Sequence, residues 1–139
     1  MNILITGGAG FIGSNLTKHY LKNTDCEITV VDRDSQNIKR LKMMCSDLRE
    51  LNIIEEDYDN IRNRIVYEND AVVHLAAVPR VAFSVEHPAS TTYDNIYKTT
   101  RLLEVFKNKN DTQTKLVFAS SSSVYGSASM PTSEEHKLS

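Results

Sequence analysis

The chain has 139 residues, of which 40% are hydrophobic and 24% charged, with a formal net charge of -2. That composition supports one domain with a real core, and it excludes a disordered chain and a basic footprint for nucleic acid or anionic membrane. No apolar run approaches the ~20 residues of a membrane span. Met1 leads straight into an apolar strand with no leader pattern ahead of it, so a cytoplasmic protein is expected. The two cysteines, Cys26 and Cys45, match no zinc or redox spacing and are expected as free, largely buried thiols in a reducing compartment. The four histidines (His19, His74, His87 and His136) show no ligand spacing, so no metal is expected.

The first stretch, Asn2 to Ser14, organises the rest. Ile3 to Ile5 is a short apolar run closed by glycines, the pattern of a buried parallel strand. Gly7, Gly10 and Gly13 follow at three-residue spacing, and a helix is expected from about Phe11 to Asn23, with Ile12, Leu16 and Tyr20 on its core side. In that setting the first glycine makes the sharp turn, the second admits a pyrophosphate to the backbone, and the third packs the helix on the strand. The helix N-terminus then offers N–H groups to phosphate. Glu27 to Val31 reads as the second strand, and Asp32 stands at its end, 19 residues after Gly13. A carboxylate there accepts the ribose hydroxyls of an adenosine and repels a 2′-phosphate, which favours NAD over NADP. Arg33 beside it works in the other direction, because a guanidinium tolerates a phosphate. The plain alternative is a glycine-rich turn followed by a surface aspartate.

Asp34 or Ser35 is expected to cap a second helix carrying Ile38, Leu41, Lys42, Met44 and Cys45. Leu51 to Ile54 reads as the third strand. Asp57 is then either a contact to an adenine amino group or the cap of a helix from Asp59 to Tyr67, and the two roles are compatible. Ala71 to Leu75 is the clearest internal strand, ending in Ala76 and Ala77, small residues against which a ligand can lie. His74 within it reads as a packed core histidine rather than a catalyst. Val78 to Pro88 is expected as a loop. Ala89 to Asn108 is expected as a long helix, with Tyr93, Ile96, Thr99, Thr100, Leu103, Val105 and Phe106 inward. After a polar turn to Thr112, Lys115 to Ala119 is a fifth strand. Ser120 to Gly126 follows at a strand's carboxyl end, and Ser127 to Ser139 reads as a loop. Strands alternating with crossover helices specify an α/β Rossmann-type, doubly wound parallel sheet in the order 3-2-1-4-5.

Three motifs in this order, Thr6-Gly-Gly-Ala-Gly-Phe-Ile-Gly13, His74-Leu-Ala-Ala77 and Ser120-Ser-Ser-Ser-Val-Tyr-Gly126, resemble the NAD-dependent epimerase/dehydratase family, the extended branch of the short-chain dehydrogenases. The resemblance covers essentially the whole chain. It implies an NAD site built from Gly7, Gly10, Phe11, Ile12, Asp32, Asp57, Leu75, Ala76, Ala77 and Asn95, and a catalytic serine at Ser121. The family's dehydratases carry an Asp-Glu pair where Ser122 and Ser123 stand, and its decarboxylases a Glu at Ser123. Serines in those places point to 4-epimerisation of a UDP-sugar such as UDP-glucose or UDP-glucuronate. That reaction needs only hydride transfer and a proton relay. A solvated serine turn is the plain alternative.

The chain departs from the family in two ways. The Tyr-x-x-x-Lys element that supplies the general base does not occur, since none of the six tyrosines has a lysine four residues on. The resemblance therefore implies the N-terminal, NAD-binding part of an epimerase. Residues 1–139 would form an incomplete domain, cut before the last strands and the sugar-binding domain and inactive by itself. Lys98 stands where the family has a helix glycine, which bears on helix packing and on the homodimer contact that the family makes through two helices. The remaining alternatives are a non-catalytic NAD-binding module and a reductase or dehydratase of the same family.

Overall fold

A computed structural model describes residues 1–108, 113–127 and 130–138. Five strands form one parallel sheet in the order β3-β2-β1-β4-β5, the expected order. They are β1 (Asn2–Thr6), β2 (Glu27–Asp32), β3 (Asn52–Glu55), β4 (Ala71–His74) and β5 (Lys115–Phe118). The central strand β1 pairs in register with β2 (Leu4 opposite Thr29) and with β4 (Leu4 opposite Val72).

Alternation along β1 sends its side chains to two separate cores. Ile3 and Ile5 pack with Ile28, Val30 and Val73 under α1 (Phe11–Asn23) and α2 (Ser35–Met44), where Leu21, Ile38 and Leu41 complete the layer. Leu4 points the other way, with Val31 and Val72. There it meets Ile65 and Val66 of α3 (Arg62–Tyr67) and Leu102 and Val105 of the long helix. Burying side chains of this size contributes roughly 1.5–3 kcal/mol each. Two such cores therefore cover the central strands on both faces, while Val117 and Phe118 of the edge strand β5 stay over half exposed, and the carboxyl ends of the strands are left open for chemistry.

Several expectations need correction. Ile12 does not face the core: it is 64% exposed, and Gly13, Thr17 and Leu21 are the buried positions of α1. The segment after β4 is not all loop, because α4 (Val81–Glu86) lies within it. The long helix begins at Pro88, as α5 (Pro88–Thr92), passes through a π-helical turn (Tyr93–Tyr97) and continues as α6 (Lys98–Asn108). A π turn takes up an extra residue and rotates everything after it. The inward stripe becomes Lys98, Leu102 and Val105, while Tyr93, Ile96 and Leu103 lie outside. Asp57 caps a short 3-10 turn (Tyr58–Asn60) ahead of α3, so that segment is not one helix. Most of the expected polar turn before β5 lies outside the described residues, as do residues 128, 129 and 139. The described part of the tail forms no helix or strand.

Both cysteines are free, with Cys45 buried and Cys26 only partly so. Burial pushes the Cys45 thiol upward. Among the described residues no helix is long and apolar enough to cross a membrane. No group of three or more His, Cys, Asp or Glu could hold a metal ion there.

Candidate functional site

The β1–α1 connection is built to bring backbone to a ligand. Gly7 has φ of +66°, and a Cβ there would sit 2.8 Å from the backbone N and Cα of Ala76. Only glycine allows that turn and that approach. The loop is pinned from the neighbouring strand: Gly7 N–H donates to the Val31 carbonyl at 2.8 Å, and Ala9 N–H donates to Asp32 Oδ2 at 3.0 Å. Gly10 opens α1 with no side-chain cap on the helix. The first-turn N–H groups have no intrahelical acceptor. Phe11 and Ile12 lie outward at 87% and 64% exposure. A Cβ on Gly10 would meet only the Gly7 carbonyl, at 3.2 Å. An open helix end with unpaired donors and no side chain in the way fits a pyrophosphate.

The other expected residues gather at the same edge of the sheet, all but Asn95 following or ending a strand. Asp32 ends β2, and its second oxygen accepts from Asp34 N–H at 3.0 Å. Leu75, Ala76 and Ala77 follow β4, with Leu75 N–H on the Thr6 carbonyl at 3.1 Å. Ser121 follows β5, exposed, where its hydroxyl oxygen caps a 3-10 turn (Ser122–Tyr125) by accepting from Ser123 N–H at 3.2 Å. Asn95, on the π turn, is engaged at both ends of its amide. Oδ1 accepts from Val78 N–H at 2.7 Å and Nδ2 donates to the Val78 carbonyl at 3.0 Å. That clamp holds the segment after β4 against the helix, so Asn95 shapes the site through Val78.

Asp57 is tied down by its own chain. Oδ1 accepts from Asp59 N–H at 3.1 Å, which is the capping role. Oδ2 takes Lys98 Nζ at 2.6 Å and Arg33 Nη1 at 3.1 Å. Asp94 completes the group, with Lys98 Nζ at 2.7 Å and both terminal nitrogens of Arg33 at 3.1 and 3.0 Å. Burial acts to raise the Asp57 carboxyl, but its bond from Lys98 and the others outweigh that and hold it below the ordinary range. Asp94 is held down chiefly by Arg33. Burial works against the Lys98 charge, yet the two carboxylates raise it above a free lysine.

Asp94, and the inward turn of Lys98, escape a reading of the sequence. The Asp94–Lys98 spacing of four is a legible helical pair. The partnership of Arg33 with Asp94, 61 positions away, leaves no local signal. A shallow pocket bounded by Asn2, Glu27, Asn52 and Arg64 lies at the opposite, amino end of the strands.

Fold and site together define a Rossmann-type dinucleotide-binding domain. The chain matches the NAD dependent epimerase/dehydratase family over residues 3–139. It belongs to that family. It is similar to a dTDP-glucose 4,6-dehydratase of Haemophilus influenzae, 36% identical across 78% of this chain and 33% of that protein. UDP-glucuronate 4-epimerase 4 of Arabidopsis thaliana is 31% identical across 99% of this chain and 33% of its own length. The crystal structure of UDP-glucuronic acid 4-epimerase from Bacillus cereus, in complex with UDP-glucuronic acid and NAD, superimposes with a TM-score of 0.80 at 33% identity. It is covered over 46% of its chain by 99% of this one. The chain thus spans about a third of the curated relatives and under half of that solved structure.

Proposed function

We propose that this chain is the NAD-binding part of a nucleotide-sugar 4-epimerase acting on a UDP-sugar such as UDP-glucose or UDP-glucuronate. The observation that carries the reading is the open first turn of α1, uncapped at Gly10 and anchored through Ala9 to Asp32. The first-turn N–H groups would hold the pyrophosphate, and the free lone pairs of Asp32 the adenosine ribose. Leu75, Ala76 and Ala77 would form the floor, since the two alanines bring little side-chain bulk to the strand end. Asp57 would meet the adenine only from the lone-pair capacity its present partners leave over. Bound NAD would supply reversible hydride acceptance at the sugar C4. Ser121 would hydrogen-bond the sugar 4-oxygen and orient it.

Relatives of this family include both a dehydratase and epimerases, so the reaction turns on Ser122 and Ser123. Neither brings an acidic group, and epimerisation needs none there. Without a Tyr-x-x-x-Lys element the chain lacks the general base, so by itself it would turn over no sugar nucleotide. The free thiols of Cys26 and Cys45 support work in the reducing cytoplasm. Exposed Ile96 and Leu103 on the long helix support pairing with a second copy.

The test is calorimetry with NAD, followed by an assay for interconversion of UDP-glucose and UDP-galactose and of UDP-glucuronate and UDP-galacturonate. NAD binding without turnover by this polypeptide, and turnover once a Tyr-x-x-x-Lys segment is present, is the expected pair of results. Absence of NAD binding would overturn the cofactor. Turnover by the pure chain would overturn the assignment of the missing base.

A further inference from the structure

Arg33 directly follows Asp32, the carboxylate proposed above to hold the ribose, and a free guanidinium there would attract a 2′-phosphate. This guanidinium is already committed. Its two terminal nitrogens take the two oxygens of Asp94 at 3.1 and 3.0 Å, the planar fork-to-fork arrangement, and Nη1 also reaches Asp57 at 3.1 Å. Lys98 joins the same two carboxylates from inside the helix, with its side chain only 9% exposed. Two cations are therefore matched by two carboxylates. Asp32 stands alongside as a third carboxylate, and among the described residues it forms no ion pair.

We propose that Asp94 is a cofactor-specificity residue: by holding Arg33 in a bidentate pair it withholds from a 2′-phosphate the cation that directly follows Asp32, and so favours NAD over NADP. This rests on the nucleotide reading given above. A 2′-phosphate would bring up to two negative charges to an edge already lined by Asp32, Asp57 and Asp94. To recruit Arg33 it would have to break two charge-assisted hydrogen bonds made in good geometry. Lys98 keeps Asp94 from following Arg33 outward, because the two sit four residues apart on one helix and are 2.7 Å apart. The π turn matters here too, since it carries Asp94 and sets the phase that turns Lys98 inward.

The test measures the affinities of the chain for NAD and NADP by calorimetry. It compares the unaltered protein, Asp94→Ala, Arg33→Ser and the double variant. In Asp94→Ala the ratio of NADP to NAD affinity rises roughly tenfold, through tighter NADP, because the released guanidinium gains a phosphate partner. In the double variant that gain disappears. Arg33→Ser alone, a change at a side chain 53% exposed, leaves the ratio within about twofold, because the arginine serves no phosphate while Asp94 holds it. A merely structural loss in Asp94→Ala would weaken both nucleotides alike and leave the ratio unchanged. An unchanged ratio, or a fall in NADP affinity in Arg33→Ser, overturns the assignment of Asp94. If the unaltered chain binds neither nucleotide, the cofactor reading itself falls and takes this one with it.

Discussion

His74 Nδ1 lies 2.7 Å from the Thr6 hydroxyl, and that contact joins the ends of β1 and β4 beneath the site. Thr6 Oγ1 also accepts from Ala76 N–H at 3.4 Å. The hydroxyl and Nδ1 share one hydrogen bond whose direction follows the ring tautomer, and the second ring nitrogen is Nε2. That nitrogen faces Thr99 Oγ1 at 3.2 Å, so the neutral ring links the strand, the floor of the site and the long helix. Tyr58 meets the ring edge-on at 4.9 Å between centroids, and Phe118 stacks at 5.8 Å. Among the described residues no carboxylate pairs with it, which fits the core histidine its apolar strand suggests.

This burial makes stability depend on pH. Burial holds His74 at about 4, against 6.5 for an ordinary histidine. The unfolded chain therefore takes up a proton that the folded chain refuses. The stabilisation is present in full above 6.5 and is lost as pH falls from there toward 4. Between about pH 7.5 and pH 5 the loss comes to about 2 kcal/mol. Asp57 and Asp94, both held low, lose their contributions only as pH falls below the ordinary carboxylate value of 3.8. Urea unfolding at the two higher pH values measures the His74 effect. His74→Gln keeps a hydrogen-bonding side chain and removes the titration, so its stability should change little across the same interval.

The glycines separate into those that fold the loop and the one that faces outward. A Cβ on Gly13 would lie 2.5 Å from Gly8 Cα and 2.6 Å from the Gly7 carbonyl, backbone atoms that cannot give way. Gly13→Ala should destabilise by about 2–3 kcal/mol, as overpacking against fixed atoms does. Gly10→Ala meets one atom at 3.2 Å and should cost about 1 kcal/mol or less, while still placing a methyl where a phosphate approaches. Denaturant midpoints should move far more for Gly13→Ala, and NAD affinity should fall in Gly10→Ala at nearly unchanged stability. Equal effects of the two on both measurements would mean that Gly10 does not face a ligand.

What the sequence makes legible follows the range of the interaction. The five strands, the bounds of α1 and a cap of α2 at Asp34 or Ser35 rest on periodicity and neighbouring side chains, and of those two it is Asp34 that accepts from Gln36 and Asn37 N–H. The sheet order follows from right-handed crossovers. The inward face of the long helix does not follow, because hydrophobic spacing assumes one residue count per turn and Tyr93–Tyr97 departs from it. Ile12 misleads because a side chain in the first turn of α1, at the open carboxyl edge of the sheet, has no core to cover it. Asn95 and Asp57 are legible as residues and illegible as partners, since Val78 and Lys98 lie 17 and 41 positions away.

Asp32 has two roles that one pair of substitutions separates. Its oxygens fasten Ala9 and Asp34 N–H, and under the proposed function its charge would face the ribose. Asp32→Ala removes both roles and should weaken NAD by on the order of tenfold or more, while narrowing the gap to NADP. Asp32→Asn keeps one acceptor oxygen for the loop and drops the charge. It should retain more of the NAD affinity and narrow the gap to a similar degree. Calorimetry with both nucleotides reads the two effects. NAD affinity unchanged in Asp32→Ala would remove this carboxylate from the site.

Ser121 is the last residue whose role can be separated from its structural duty. Its hydroxyl donates to Ser123 Oγ at 3.1 Å, and its oxygen accepts from Ser123 N–H at 3.2 Å, all on an exposed turn. Ser123→Ala breaks the side-chain bond but leaves the cap. Ser121→Ala removes the cap and the hydroxyl that would orient the sugar 4-oxygen. In a protein carrying this chain together with a Tyr-x-x-x-Lys element, Ser121→Ala should lower kcat on the order of a hundredfold with NAD retention unchanged. Ser123→Ala should stay within about threefold, as expected for an exposed residue off the reacting atoms. A cap alone predicts the opposite pattern, with small and comparable losses in both variants and a looser turn. The ratio of the two kcat values, measured at saturating UDP-sugar, therefore decides whether the serine run is chemistry or only a turn.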